Sequence, residues 1–166
     1  RDQRSRRIDL GLMDFSSQTL ESASFSDLDP LEFERLRQAI SRLRGDEGLL
    51  ALPDEELAKA LRLVESVERG IVPNIAGLLL LGRQNALQKL LPTHEVRFQV
   101  IDAQGNVKAN DVFFGPLLRV LDELENRFDT RNSEQEVTLG LFRVPVPDYA
   151  PEGFREALKN AILHRD

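Results

Sequence analysis

The amino-acid sequence predicts an α+β protein, with a helical linking region over residues 29–92 and a small antiparallel sheet packed with helices over residues 93–166. Three observations carry that expectation. Between Asp29 and Leu91 the apolar residues recur at three- and four-residue spacing, the period of helices with one buried face. From His94 the period drops to two, as Val96, Phe98 and Val100 alternate with Arg97, Gln99 and Ile101. Val137, Leu139 and Leu141 then repeat that alternation ahead of two prolines. At 166 residues the chain is long enough for one ordinary domain or two small packed parts.

Taken in order, residues 1–28 read as an N-terminal tail or linker. Ile8, Leu10, Leu12 and Phe15 make a small apolar patch, and the run SSQTLESASFSDLD behind it is serine-rich and acidic, as loops are. None of those serines has a nearby histidine to serve as its base, since the first histidine is His94. Asp29 then caps a helix, with Pro30 in the first turn and Glu32 completing a capping-box-like arrangement. Leu31 or Phe33, then Leu36, Ile40 and Leu43, give it one buried side, and Gly45 is a natural stop. The next helix is expected from about Asp54 to Glu68, with Leu57, Leu61 and Val64 inward. A third begins at Asn74 after Pro73, runs through IAGLLLL and meets Gly82, and residues 84–91 add a short helical piece before Pro92.

Beyond His94, residues 102–106 with Gly105 read as a hairpin turn between a strand from Val96 and a second reaching about Phe114. Gly115 and Pro116 open a helix with Leu117, Leu121, Leu124 and Phe128 on one side. The run DTRNSEQE reads as a polar loop. A third strand begins with Val137, Leu139 and Leu141, and Pro145 and Pro147 are expected to end it. Pro151 and Glu152 start the closing helix.

Composition narrows the function classes. Apolar residues are 41% and charged residues 30%, ordinary for a globular chain. There is no cysteine, so disulfides and zinc-thiolate sites are excluded, and a reducing, cytoplasmic setting is expected. The longest strongly apolar run, Ile75–Leu81, is far short of the ~18 residues that span a bilayer, so no membrane partner is expected. No signal peptide is visible. The net charge of −6 has the wrong sign for a surface that tracks nucleic acid throughout. The basic cluster Arg1, Arg4, Arg6 and Arg7 is diluted by Asp2 and reads as a basic tail. With no methionine first, the chain reads as a piece of a longer protein.

The chemistry-bearing pattern is in the last stretch, REALKNAILHRD, which sets Glu156, Asn160 and His164 at spacing four. Residues four apart share one side of a helix, with Phe154, Leu158, Ala161 and Ile162 as the apolar side behind them. A carboxylate and a carboxamide one turn apart suit a hydrated Mg²⁺, a hard ion that prefers oxygen and keeps much of its water. The same spacing fits the solvated face of an ordinary amphipathic helix. Other candidates are weaker. His94 and His164 have no patterned carboxylates between them, and so are not a metal motif. Asp122, Glu123 and Glu125 fall on the outer face of their helix. No P-loop, dinucleotide-binding glycine turn or nucleophile elbow is present.

The segments FSDLD, LPDEELAKALRLV, VPNIAGLLLLGR, FFGPLLRVLDELENRF and DYAPEGFREALKNAILHRD occur in an order that resembles a bacterial and archaeal family. Its members are described as RecG-related helicases or predicted transcriptional regulators, with a Schlafen/AlbA-like domain, a linking region and a GHKL-type ATPase domain. The closing segment is similar to that family's N-box helix. The resemblance implies that this chain is the linking region and the beginning of the ATPase domain. It implies Glu156 as the general base or water-orienting carboxylate of ATP hydrolysis, and Asn160 as the ligand of the Mg²⁺ bound with ATP. His164 and Asp166 belong to the family signature without an assigned step. The chain departs from the family at Ala150, which follows Tyr149 where proline is frequent, at Gly153 in the first helical turn, and at Asn74 where threonine is common. The adenine-contacting aspartate and the glycine-rich lid of such a site would follow Asp166, so strong ATP binding by residues 1–166 alone is not expected.

Two other readings stay open. Three short helices followed by a hairpin is the order of a winged helix, a DNA-binding module, which would need an exposed basic surface near Arg83, Arg97 and Lys108. Its third helix, NIAGLLLLG, carries no lysine or arginine. In the other reading, the leucine-rich helices and the sheet edge pair with another subunit, possible as a homo-oligomer.

Overall fold

A computed structural model describes residues 14–163. The fold is α+β, as expected, and it divides into two units, one ending at Val120 and the other beginning at Leu121. The change of period had placed the division between Pro92 and Thr93. Arg1, Arg4, Arg6, Arg7, Ile8, Leu10 and Leu12, together with His164 and Asp166, lie outside the described residues.

In the first unit, residues 14–28 are a working part of the fold rather than a tail. Two 3₁₀ turns, Phe15–Ser17 and Phe25–Asp27, frame a segment that buries Ala23 and Leu28. Helix α1 (Pro30–Arg42) follows, capped by Asp29, whose Oδ1 accepts from the Leu31 N–H at 3.1 Å. A four-residue helix α2 (Glu47–Leu50), which the sequence had not suggested, and helix α3 (Asp54–Ala60) come next. Arg37 ties α1 to α3 through Asp54 at 2.7 Å and the Leu52 carbonyl at 2.8 Å.

The expected helix over 54–68 is half wrong: it stops at Ala60, and residues 64–73 form a hairpin, β1 (Val64–Val67) with β2 (Gly70–Pro73). The stop is an Arg62 in the left-handed region, φ 55°. Its N–H reaches the Lys59 carbonyl at 3.0 Å while the Leu63 N–H reaches that of Ala58 at 2.9 Å, the paired bonds of a Schellman ending. The first helix ends the same way on Arg44 at φ 54°, so Gly45 is one residue past the turn rather than in it. Arginine holds these positions where glycine is usual, which is why the helix end was hard to read. Val64, Val67, Ile71 and Val72 are β-branched, a composition that suits a strand once the helix has stopped.

Helix α4 (Ile75–Leu81) starts and ends as the sequence suggests and is the centre of the core. The segment before α1 lies along it: the Ile75 N–H donates to the Gln18 carbonyl at one end, and the Asp29 N–H to the Leu81 carbonyl at the other, each at 2.8 Å. Helix α5 (Gln84–Leu90) follows, then the hairpin β3 (Val96–Ile101) with β4 (Val107–Phe113). The turn between them is held by Asp102, whose Oδ1 accepts from the Gln104 and Asn106 N–H groups at 3.0 and 2.8 Å.

Helix α6 (Leu117–Arg131) carries the division between the units. Val120, not the expected Leu121, shares the buried side with Leu117, Leu124 and Phe128. The expected polar loop DTRNSEQE shrinks to Asn132 and Ser133, because 129–131 continue α6 and Glu134 already opens β5 (Glu134–Leu139). Pro145 and Pro147 do not end the sheet but lie inside β6 (Phe142–Pro147), which pairs with β5. The chain thus forms three separate two-stranded sheets among the described residues, rather than one small sheet. Helix α7 (Pro151–Leu163) closes the described part.

Candidate functional site

The N-terminal end of α7 is positioned by its neighbours in the second unit. Asn132 pairs with the backbone of Tyr149 as a strand would: its Nδ2 donates to the Tyr149 carbonyl, and its Oδ1 accepts from the Tyr149 N–H, both at 2.9 Å. The Asp148 N–H donates to the Ser133 carbonyl at 2.9 Å, and Gln135 Nε2 donates to Asp148 at 2.9 Å. These bonds fasten the base of the β5–β6 hairpin and set the start of α7. Asn132 was hidden in what read as a polar loop, and only its position between a helix end and a strand start could have marked it.

Two contacts then orient α7 against the second half of α6. Phe154 stacks on Phe128 with ring centroids 4.0 Å apart and planes within 8°. Arg155 Nε meets Glu125 Oε1 at 3.2 Å. Glu125 is therefore a half-buried ion-pair partner rather than part of a purely solvated face. Pro151, Phe154, Leu158 and Ile162 are half-buried along one side of the helix, while Ala161 is exposed.

Glu156 and Asn160 fall on the other side, both exposed and one turn apart. Glu156 forms a surface ion pair with Lys159, an i,i+3 contact of the kind that contributes little. His164 lies outside the described residues, so the third member of the stripe is not placed. No group of three or more His, Cys, Asp or Glu side chains suited to a metal occurs among the described residues. The two oxygen-bearing side chains nevertheless fit the needs of Mg²⁺, which accepts few protein ligands and fills the rest with water and phosphate oxygens.

The basic groups that the winged-helix reading required, Arg83, Arg97 and Lys108, are all exposed, while the order of helices and hairpins differs from the expected one. A hairpin, β1–β2, stands between α3 and α4, so three helices do not run on into one hairpin. No residue of α4 is exposed, and it presents no polar face to a groove. Arg97 pairs with Glu95 at 2.7 Å, Lys108 with Asp102 at 3.1 Å, and Arg83 Nε donates to the Ser26 carbonyl at 3.2 Å. Asp102 is held below the ordinary aspartate range, first by the Asn106 N–H and further by the Asn106 side chain, Lys108 and the Gln104 N–H.

Besides Asn74 at the start of α4, two buried polar groups lie in the first unit. His94 bonds the Gly115 carbonyl through Nε2 at 2.8 Å, fixing the residue two before α6. Glu32 is almost fully buried, beside Arg35 at 3.3 Å, and burial pushes its carboxyl above the usual glutamate range despite the nearby charges of Arg35 and Arg119. Both belong to the first unit, whereas the α7 stripe belongs to the second.

The chain belongs to the family described as "Domain of unknown function (DUF8451)", whose model matches residues 7–97. No curated protein matches it. Among solved structures, it is similar to the crystal structure of the DIP2311 protein from Corynebacterium diphtheriae, with a TM-score of 0.70 and 25% sequence identity. That likeness covers 93% of this chain and 28% of the other, so this chain spans less than a third of the length of the protein that it matches. No helix among the described residues is long and apolar enough to cross a membrane.

Proposed function

We propose that this member of the family, similar to one part of a longer protein, contributes a connector and the N-box half of an Mg–ATP site to a cytoplasmic, nucleotide-dependent regulator acting on or near nucleic acid. The observation that carries the reading is the two-sidedness of α7. Its apolar side is engaged by Phe128 and its neighbours, while Glu156 and Asn160 are exposed and not consumed by packing. The resemblance of the closing segment to an N-box helix assigns those same two residues.

In this reading Asn160 would hold the magnesium ion through its side-chain oxygen, and Glu156 would orient a water and take its proton. Bound magnesium would neutralise phosphate charge, which with positioning is most of what phosphoryl transfer to water requires. Phe154 on Phe128 and Arg155 on Glu125 would keep the helix rotated so that the stripe faces the nucleotide. The remaining groups of the site, including those that contact adenine, would come from outside residues 1–166.

The test is calorimetric titration with Mg–ATP of this chain and of a longer polypeptide that continues past Asp166. Binding by the longer form only, abolished by Asn160→Ala and by chelation of magnesium, is the expected result. Glu156→Gln in the longer form should bind but not hydrolyse. Absence of binding by either form sinks the reading.

A further inference from the structure

The β5–β6 hairpin is a two-sided ribbon with two unlike edges. Val137, Phe142, Val144 and Val146 lie on one face, and all four are exposed. Glu134, Glu136, Thr138, Arg143, Pro145 and Pro147 lie on the other. The two-residue loop Gly140–Leu141 makes Leu139 and Phe142 a hydrogen-bonded pair, and alternation then makes Val137–Val144 and Gln135–Val146 bonded pairs too. The backbone groups of Glu134, Glu136 and Thr138 therefore point away from β6, and those of Pro145 and Pro147 away from β5.

This pattern decides which edge can accept another strand. The outer edge of β6 lacks two N–H donors, because two of its three outward positions are proline and only Arg143 keeps an N–H there; edge proline is a usual guard against strand addition. The outer edge of β5 keeps its donors and carries two acidic side chains. Glu136 is met by Arg143 at 3.3 Å, whereas Glu134 lies opposite Pro147 and has no cation across from it. A strand added there would set its side chains alternately beside the glutamates and beside the valine face.

We infer that the outer edge of β5 is a docking site for an extended strand of another polypeptide, one that alternates basic with apolar or β-branched side chains. The basic positions would lie opposite Glu134 and Glu136, and the alternate positions would extend the face of Val137 and Val144. Charge argues against a second copy as the occupant. Pairing β5 with itself about Glu136, or with Glu134 opposite Glu136, opposes like charges. A self-pairing centred on Val137 avoids that clash but leaves Glu134 without a cation.

The experiment titrates the isotopically labelled full chain with an eight-residue peptide alternating lysine with valine and threonine, and with the same peptide carrying glutamate for lysine. Amide shifts and exchange protection at Glu134, Glu136 and Thr138 report the result. Saturable binding of the lysine peptide, at least tenfold weaker for the glutamate peptide, is expected. Thr138→Pro removes an outward donor without touching the hairpin ladder and should cost at least tenfold, while Pro145→Ala on the other edge should leave binding intact. If Thr138→Pro does not fold, the pair Glu134→Lys and Glu136→Lys should reverse the peptide preference. Equal binding of the two peptides, or binding indifferent to these changes, overturns the inference. So does protection of those amides in the chain alone, or a concentration-dependent mass that Thr138→Pro abolishes, since the edge would then belong to this chain or to its own copy.

Discussion

The two units of this chain solve the burial problem differently. In the first, Phe33, Leu57, Leu78 and Leu81 are fully enclosed around α4, and the segment before α1 is tied to both ends of that helix by backbone hydrogen bonds. In the second, Leu124 and Phe128 are buried, while α7 is only half-covered and the hairpin tip leaves Leu141 99% and Phe142 75% exposed. Side chains of similar hydrophobicity are present in both. What differs is the number of layers: a helix enclosed by other segments has little apolar surface left for water, while a lone two-stranded ribbon must leave a face open. The first unit reads as scaffold, and the second carries both surfaces that are proposed to bind something.

The comparison is broken or sharpened by substitution. The largest effect is expected from Leu78→Ala in α4, where lost transfer energy and a residual cavity should cost roughly 2–5 kcal/mol in urea unfolding. Leu141→Ala, at the exposed hairpin tip, should change stability by less than about 0.5 kcal/mol. If the two costs are alike, the contrast between the units is wrong. Asn74→Ala comes next. Its Oδ1 caps α4 at the Gly77 N–H and its Nδ2 holds the Arg62 carbonyl, each at 2.8 Å, so a loss of about 1–2 kcal/mol is expected in thermal unfolding.

Glycines sharpen the same contrast. A Cβ at Gly77 would lie 2.1 Å from the Leu63 carbonyl oxygen, a backbone atom, so Gly77→Ala should destabilise by about 1–3 kcal/mol or more. A Cβ at Gly153 would meet only the Ala150 Cβ, at 4.0 Å, so Gly153→Ala should stabilise α7 by about 0.5–1 kcal/mol. Amide exchange slowed in α7 but unchanged in α4 would show that gain to be local.

The smallest effect concerns pH. Glu32 has its carboxyl raised above the ordinary value of 4.5, chiefly by burial. A raised acid binds more protons in the native state than in the unfolded chain, so its contribution is full below the unfolded value and is lost as pH rises through the native one. Unfolding free energies measured upward from pH 4 should therefore fall less steeply in Glu32→Gln than in the parent. An unchanged slope would mean that the burial of Glu32 carries no electrostatic cost.

Where the chain's own spacing was unambiguous, reading and structure agree. Asp29 with Pro30, Asn74 after Pro73, and the turn around Gly105 each state their geometry in a few residues, because a cap or a tight turn is satisfied locally. Residues 54–68 were misread because Leu57, Leu61 and Val64 keep helical spacing across a helix end that rests on an arginine rather than a glycine. Pro145 and Pro147 were misread as terminators because the harm a proline does depends on whether its N–H would point inward, and that is fixed by register. Of the candidate site, Glu156 and Asn160 were legible as one stripe, while Asn132, Glu125 and Phe128, which position that helix, were not.

The sequence by itself determined the α+β class, most helix starts, the β3–β4 hairpin, and the pairing of Glu156 with Asn160 on one side of the last helix. Those features follow from periodicity and capping, which act over a few residues. Only the tertiary structure decided that α4 is the buried centre, that residues 14–28 are built into its flank, that the division falls inside α6, and which edge of the last hairpin stays open. Each of these depends on what a segment meets across space, and neither spacing nor composition encodes that directly.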